Sequence, residues 1–157
     1  MRRLLVILGV LALTAPAASV AGRQDPGDGT FSLRGGHGTF TVSARGAVIG
    51  SFVHGKVVIT DPIDGDGTGP IVSGDEWQKD RSDTTTVYGG TRVRFRLIGG
   101  TFRIRVIGTG VTLSVVGRGL VTLNGAGSGD DGGYSFNGTP YADVPDFAQV
   151  ALNASSP

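Results

Sequence analysis

The sequence of 157 residues contains no cysteine. A chain without cysteine has no disulfide bond, no lipid-modified cysteine anchor and no thiolate nucleophile. Histidine is almost as scarce, with two residues, His37 and His54, each beside a glycine. Two isolated histidines do not make a zinc site, and no Gly-x-Ser-x-Gly motif supplies a serine nucleophile. The sequence therefore shows no recognisable catalytic site, and we expect the protein not to be an enzyme.

The first 21 residues have the order of a secretory signal. Arg2 and Arg3 precede an apolar run at 4–13, and small residues follow up to Ala21. An apolar run of about ten residues is too short to cross the hydrocarbon core of a bilayer, which needs about 20. We therefore expect residues 1–21 to be a cleaved signal peptide. The mature protein is then secreted or held at the cell envelope, without a transmembrane span.

Positive and negative charges are nearly balanced. The sequence has 14 Lys and Arg against 13 Asp and Glu, which gives a formal net charge of +1. A general nucleic-acid-binding domain would be strongly basic. We therefore do not expect nucleic acid as a partner.

Glycine is the residue in excess, with 28 copies. The glycines separate short runs of Val, Ile, Phe and Thr, which favour β-strands, and no longer stretch beyond the signal has helical periodicity. The pattern predicts one all-β domain at 30–136, after a flexible leader at 22–29. An acidic loop interrupts the domain at 62–83. A proline-punctuated tail at 137–157 follows, with a short last strand at 147–152.

Two stretches of the domain resemble each other. Residues 38–59 align with residues 100–123, and each stretch reads as three strands between glycines. The alignment predicts an antiparallel two-sheet sandwich built from two similar three-strand meanders. The spacing from Gly46 to Gly55, repeated from Gly110 to Gly119, leaves a short β-solenoid or a barrel as the second choice.

A Gly-Gly pair lies between two alternating stretches at 92–98 and 101–106. A two-residue hairpin turn needs positive φ, which glycine adopts without steric cost. A turn at Gly99 and Gly100 would gather six apolar side chains on the core side of the hairpin: Val93, Phe95, Leu97, Phe102, Ile104 and Val106. It would gather four guanidinium groups on the other side: Arg94, Arg96, Arg103 and Arg105.

Like charges directly across a sheet destabilise it by up to about 1 kcal/mol per pair, so these arginines need partners. The acidic loop would neutralise them if it folded over them. The alternative is an anion-binding face for an acidic cell-envelope polymer, because guanidinium forks match carboxylate and phosphate groups. The same charges leave open a salt-sensitive self-association, in which the arginine face of one copy meets the acidic loop of another.

The segment 64–75 resembles the twelve-residue calcium loop of EF-hand proteins. Asp64, Asp66 and Thr68 occupy its oxygen-ligand positions 1, 3 and 5, and Asp75 occupies position 12. The resemblance implies a Ca²⁺ site with these four ligands, and a calcium-stabilised carbohydrate-binding domain as an alternative function. An acidic Asp-Gly turn without a metal is the other interpretation of the segment. No other cofactor is expected.

Trp77 is the lone tryptophan and lies in the acidic loop. We expect it to be a packed anchor at the base of that loop, with stacking on a sugar as the alternative. Asp75 and Glu76 precede it as a pair of carboxylates. Glycosidase chemistry depends on the separation of two carboxylates in space, which the sequence does not give. A hydrolase with an unidentified site is therefore the remaining alternative.

Overall fold

The computed structural model describes residue 25 and the ranges 27–127 and 132–154. They form six β-strands: β1 (Gly29–Thr60), β2 (Gly67–Ser73), β3 (Trp77–Ser82), β4 (Thr85–Ala126), β5 (Gly133–Phe136) and β6 (Ala148–Leu152). Every pair between them is antiparallel, and none of the described residues is helical. The domain is therefore all-β, as predicted, and the described sheet is not closed into a barrel. None of these residues lies in a helix long and apolar enough to cross a membrane.

The two long strands, β1 and β4, pair with each other along both of their edges. Phe40 of β1 lies between Val106 and Leu123 of β4, and Val57 lies between Val106 and Tyr88. The strand order is β2-β4-β1-β5, and β3 and β6 also pair with β4. The long strands therefore wind around each other, and the four short strands cover edges that they leave.

Pairs of glycines face each other at irregular points of the long strands. Gly46 of β1 lies opposite Gly117 of β4, with φ of 150° and 151°, in a backbone region that favours glycine. A Cβ atom on either residue would overlap a carbonyl oxygen of the other strand. Gly55 and Gly108 face each other in the same way. Only glycine allows the two backbones to approach this closely, so these pairs hold the strands in register.

The interior is formed by alternate residues of the two long strands, which belong to one apolar cluster. Phe31, Phe40 and Phe52 of β1 are each at most 1% exposed. The six core residues predicted in β4 are each 2% exposed or less: Val93, Phe95, Leu97, Phe102, Ile104 and Val106. The alternation that predicted this core is therefore confirmed. Full burial of each such side chain stabilises the fold by about 1.5–3 kcal/mol.

The predicted hairpin at Gly99–Gly100 is wrong. β4 runs through both glycines without reversing, although both adopt positive φ, 77° and 79°. The carboxylate of Asp66 accepts a hydrogen bond from the backbone N–H of Thr101 at 2.9 Å and so braces the chain at this corner. The stretches before and after the glycines pair with different parts of β1, at 47–52 and at 39–45.

The predicted three-strand meanders are also wrong, because the strands within each stretch do not pair with one another in the described chain. Residues 38–59 belong to β1, and residues 100–123 belong to β4. The two stretches pair with each other, from Thr39 opposite Asn124 to Ile59 opposite Ile104. A meander would need the chain to reverse at each glycine, whereas these glycines lie within continuing strands.

The segments outside the long strands add to the sheet. The predicted acidic loop contains β2 and β3, which both pair with β4. In the tail, β6 pairs with β4. The side chain of Asn137 accepts a hydrogen bond from the Thr30 N–H at 2.8 Å and donates one to the Asn153 carbonyl at 3.0 Å, which ties the tail to β1. The predicted signal peptide at 1–21 and part of the leader at 22–29 lie outside the described residues.

Candidate functional site

Arg94 and Arg96 lie on the face of β4 that is turned away from the core. The residues of β4 alternate there between buried apolar and exposed basic side chains. Directly opposed residues in antiparallel strands project to the same side of the sheet. Arg94 and Arg96 are therefore flanked by four residues of β1 and β2: Ile49, Ser51, Ile71 and Ser73.

These residues line a groove of about 530 Å³, here called the arginine groove. The exposed or half-buried side chains that line it are Ile49, Ser51, Ile71, Ser73, Arg94, Arg96, Thr112 and Ser114. No acidic side chain of the described chain lines it. The two guanidinium groups offer hydrogen-bond donors in a planar fork, the hydroxyls can donate and accept, and the isoleucines supply apolar surface. The groove is therefore suited to an anionic ligand that also has an apolar face.

Arg103 and Arg105 lie on the other side of the Gly99–Gly100 corner. Arg103 lines a separate cavity of about 400 Å³, together with Arg45 and Arg118. The structure therefore does not bring the four predicted anion-binding arginines to one face. The physical reason is that β4 continues where a hairpin was expected, so the two pairs of arginines pair with different parts of β1.

Three carboxylates between β1 and β4 accept hydrogen bonds from nearby groups of the chain, and none of the described carboxylates there pairs with these arginines. Asp66 braces Thr101, as described above, and Glu76 accepts a hydrogen bond from the backbone N–H of Thr91 at 3.1 Å. The Thr86 hydroxyl donates one to Asp80 at 2.8 Å. Within the described residues, no ion pair reaches the four arginines: Arg94, Arg96, Arg103 and Arg105. The acidic loop therefore does not neutralise them through direct contacts.

The four residues predicted as calcium ligands are not brought together. Asp64 and Asp66 precede β2, Thr68 lies within it, and Asp75 follows it. The seven residues of β2 span roughly 20 Å at about 3.3 Å per residue, so Asp66 and Asp75 lie at opposite ends of a strand. A calcium loop must fold back around its ion, whereas pairing with β4 keeps this segment extended. The described residues contain no group of three or more His, Asp or Glu side chains able to hold a metal ion.

The separation of basic strands from acidic connecting segments was not predicted from the sequence. β1 contains three Lys and Arg residues and β4 contains six, and neither contains an Asp or a Glu. All 13 acidic residues lie in the remaining segments. Because positive and negative charges balance over the whole chain, the separation becomes visible only when the strand boundaries are known. The surface of the two long strands is therefore cationic, and the segments that join and flank them are acidic.

Two aromatic residues lie where β3 meets β4. Burial raises the pKa of the Tyr88 phenol; a hydrogen bond with Thr86 opposes this shift, and the negative charges of Asp80 and Asp75 add to it. Trp77 is 47% exposed and does not belong to the core. The Trp77 ring packs on Gly89 of β4, as expected of an anchor at the base of this segment, but it is not buried and its indole remains accessible to solvent.

The chemistry of the arginine groove follows from its groups alone. Comparison with protein families, curated proteins and solved structures finds no match for this chain. Guanidinium and hydroxyl groups bind carboxylate, phosphate or sulfate by hydrogen bonds and charge. The arginine groove is therefore a candidate anion-binding site.

Proposed function

We propose that this protein is an exported, non-catalytic binding module that contacts an acidic polymer of the cell envelope or extracellular space through the arginine groove. The observation that carries the proposal is the separation of charge: the two long strands are basic and contain no Asp or Glu. The groove lies on these strands and on β2. A negatively charged chain lying along it meets Arg94 and Arg96 and no carboxylate of the groove. The signal pattern at 1–21 supports export.

The ligand is proposed to be a polymer because single contacts at an exposed site are weak. Arg94 and Arg96 are alternate residues of one strand, so their backbones are separated by about 7 Å. An exposed ion pair contributes only about 0.2–1 kcal/mol. A chain with repeated acidic groups contacts both arginines at once, and linked contacts raise the overall affinity. The hydroxyls of Ser51 and Ser73 add hydrogen bonds on either side.

The finer architecture is part of the proposal. We propose that the antiparallel sheet is folded at its glycines into two packed layers, as in a sandwich. This is supported by the stretches on either side of Gly99–Gly100, which pair with different parts of β1 yet send alternate side chains into one core. In this arrangement the arginine groove and the Arg103–Arg105 pair occupy separate outer surfaces.

The test is retention of the mature protein on immobilised polyglutamate and polyphosphate at about 10 mM and about 150 mM salt. The Debye length falls from about 30 Å to about 8 Å over this range, so binding should weaken steeply. The double variant Arg94→Gln/Arg96→Gln should bind roughly tenfold more weakly at low salt, because two exposed ion pairs are lost. Arg81→Gln/Arg92→Gln is the matched control, since it removes the same charge outside the groove.

The control separates a site from a general charge effect. If both double variants lose the same affinity, net charge and not the groove determines binding. If the unaltered protein is not retained on either polymer at low salt, the proposed function is rejected.

A second candidate function is self-association, which the same separation of charge favours. The basic surface of β1 and β4 in one copy complements the acidic segment 61–83 of another. Size measurement by light scattering at the same two salt concentrations distinguishes the two functions. Self-association predicts a larger mass at low salt without any added polymer, whereas polymer binding by a monomer predicts no change.

A further inference from the structure

A second surface, on the part of the sheet that contains β3, combines basic side chains with an exposed indole. Trp77 of β3 lies opposite Gly89 of β4, which lies opposite Lys56 of β1. In the next row, the register places Lys79, Val87, Val58 and Arg105 in line across the same strands. Opposed residues, and residues two apart in one strand, project to the same side of a sheet. Four side chains therefore share this surface, here called the tryptophan face: Lys56, Trp77, Lys79 and Arg105.

The indole of Trp77 packs over Gly89 of β4, which has no side chain. A Cβ atom on Gly89 would overlap the ring of Trp77. The ring therefore occupies the space that a side chain at position 89 would fill, and it rests on the backbone of β4. It is nevertheless 47% exposed. An aromatic ring with one side supported by the protein and the other open to solvent can receive a flat apolar surface without much loss of side-chain freedom.

The charged neighbours of the indole determine which ligand fits. Strands are about 4.8 Å apart, so the backbone of Lys56 lies about 10 Å from that of Trp77. Neither of the two rows that contain these side chains includes an Asp or a Glu. A ligand for this face therefore needs a ring to pack on the indole and negative charges about 10 Å away, at Lys56, and about 15 Å away, at Arg105 one strand further.

We propose that the tryptophan face binds an acidic polysaccharide, with a sugar ring stacked on Trp77 and its acidic groups paired with Lys56, Lys79 and Arg105. The hydrogens on one face of a sugar ring form the flat apolar surface that an indole accepts, while carboxylate or sulfate groups at the ring edge reach the cations. This inference rests on the proposed binding of an acidic polymer and identifies that polymer as a polysaccharide. Trp77 is the sugar-recognising residue, and the arginine groove contacts acidic groups irrespective of the backbone that carries them.

The experiment uses tryptophan fluorescence, because the chain contains a single tryptophan and the signal therefore reports on this face alone. The mature protein is titrated with polygalacturonate, polyglutamate and dextran at about 10 mM salt, where charges are screened least. Polygalacturonate and polyglutamate both carry carboxylates, but only the former offers sugar rings. Polygalacturonate should change the emission, whereas neutral dextran should bind too weakly to do so.

Affinity is measured separately by retention on the same polymers. Trp77→Ala should reduce the affinity for polygalacturonate by about fivefold or more and leave the affinity for polyglutamate unchanged, because only stacking is removed. Trp77→Phe should retain most of the affinity. Phe147→Ala is the matched control, since it removes an exposed aromatic side chain, 63% exposed, from outside the rows of the tryptophan face. Melting temperatures verify that each variant is folded.

The outcomes separate the two proposals. If Trp77→Ala binds polygalacturonate as tightly as the unaltered protein, the tryptophan face is rejected as a sugar site, while polyglutamate retention still decides the arginine groove. The same conclusion follows if Trp77→Ala lowers the affinity for polygalacturonate and for polyglutamate equally. If Trp77→Ala weakens polygalacturonate alone but Arg94→Gln/Arg96→Gln changes neither polymer, the groove is rejected and the tryptophan face is retained.

Discussion

β1 and β4 contain no Asp or Glu and bury alternate side chains, whereas residues 61–84 between them contain seven acidic residues and bury no side chain fully. The long strands pair along both edges and form most of the core. The connecting segment adds β2 and β3 to β4 and braces two of its glycine-containing corners through Asp66 and Glu76. The fold therefore depends on the long strands, and the connecting segment mainly completes the proposed binding surfaces.

The largest effect should come from the glycine pairs of the long strands. Gly46→Ala places a Cβ atom against a backbone carbonyl of β4 at a positive φ, and neither strain can be relieved by moving a side chain. We expect a loss of about 4 kcal/mol or more in the free energy of unfolding, a large part of the stability of a small domain. Gly69→Ala in β2 is the control, because a Cβ there meets open space. Urea unfolding measures the stability of the two variants. Equal stabilities would contradict the conclusion that the fold depends on the long strands.

A smaller effect should come from the core. Ile104→Ala in β4 removes a fully buried side chain and should cost about 2–5 kcal/mol, since the cavity adds to the lost burial. Ile71→Ala in β2 removes a side chain that is 45% exposed and should cost less than about 1.5 kcal/mol. The two variants delete the same atoms, so the difference in their urea midpoints measures burial alone. A larger loss at Ile71 would show that the connecting segment carries part of the core.

A still smaller loss of stability should follow from removing the hydrogen bond of Asp66 at the Gly99–Gly100 corner. Asp66→Ala leaves the Thr101 N–H without its acceptor and should destabilise the protein by about 1–2 kcal/mol. The exposed neighbour Asp64 makes no such contact in the described chain, and Asp64→Ala should change stability by less than about 0.5 kcal/mol. Hydrogen exchange at the Thr101 amide gives an independent measure, with faster exchange expected only for Asp66→Ala.

The smallest effect should appear at alkaline pH. Burial, with the charges of Asp80 and Asp75, raises the pKa of Tyr88 above its ordinary value of 10.0. The unfolded chain then releases the phenolic proton at a lower pH than the folded chain, so stability falls as the pH rises above about 10. Tyr88→Phe cannot ionise and should lose less stability over that range. Unfolding measured at pH 8 and at pH 10.5 tests this, and parallel losses in the two proteins would refute it.

The core of β4 was predictable because alternation is a local property. The side chains at 93–97 and 102–106 alternate within each stretch, and this alone identifies the buried set. The part of β1 with which each stretch pairs is not determined by the local sequence. Gly99 and Gly100 have the positive φ of a hairpin turn, but a corner in a continuing strand needs the same dihedral angles. The choice between them depends on Asp66, far away in the sequence, and on the glycines of β1.

The candidate site was predictable in part for the same reason. The exposure of Arg94 and Arg96 follows from the alternation, but their grouping with Ser51 and Ser73 depends on pairing between distant strands. The residues of the calcium pattern are not brought together, because oxygen-bearing residues at alternate positions also fit a strand, and β2 pairs with β4. Of the tryptophan face, Trp77 was named from the sequence as an alternative sugar-stacking residue, and Arg105 as an anion-binding one. The grouping of Trp77 with Lys56 and Arg105 was not predictable, since the three residues meet only through the register of the strands.

The pairing of β1 and β4 along both edges has a consequence for biosynthesis. Since β1 finds its main partner only in β4, a chain emerging from the ribosome exposes the apolar side chains of β1 until the second half has been made. Contacts between residues far apart in sequence also form slowly. The protein should therefore remain unfolded throughout its translation and be vulnerable to aggregation in that interval, so a chaperone or rapid delivery to its destination would protect it.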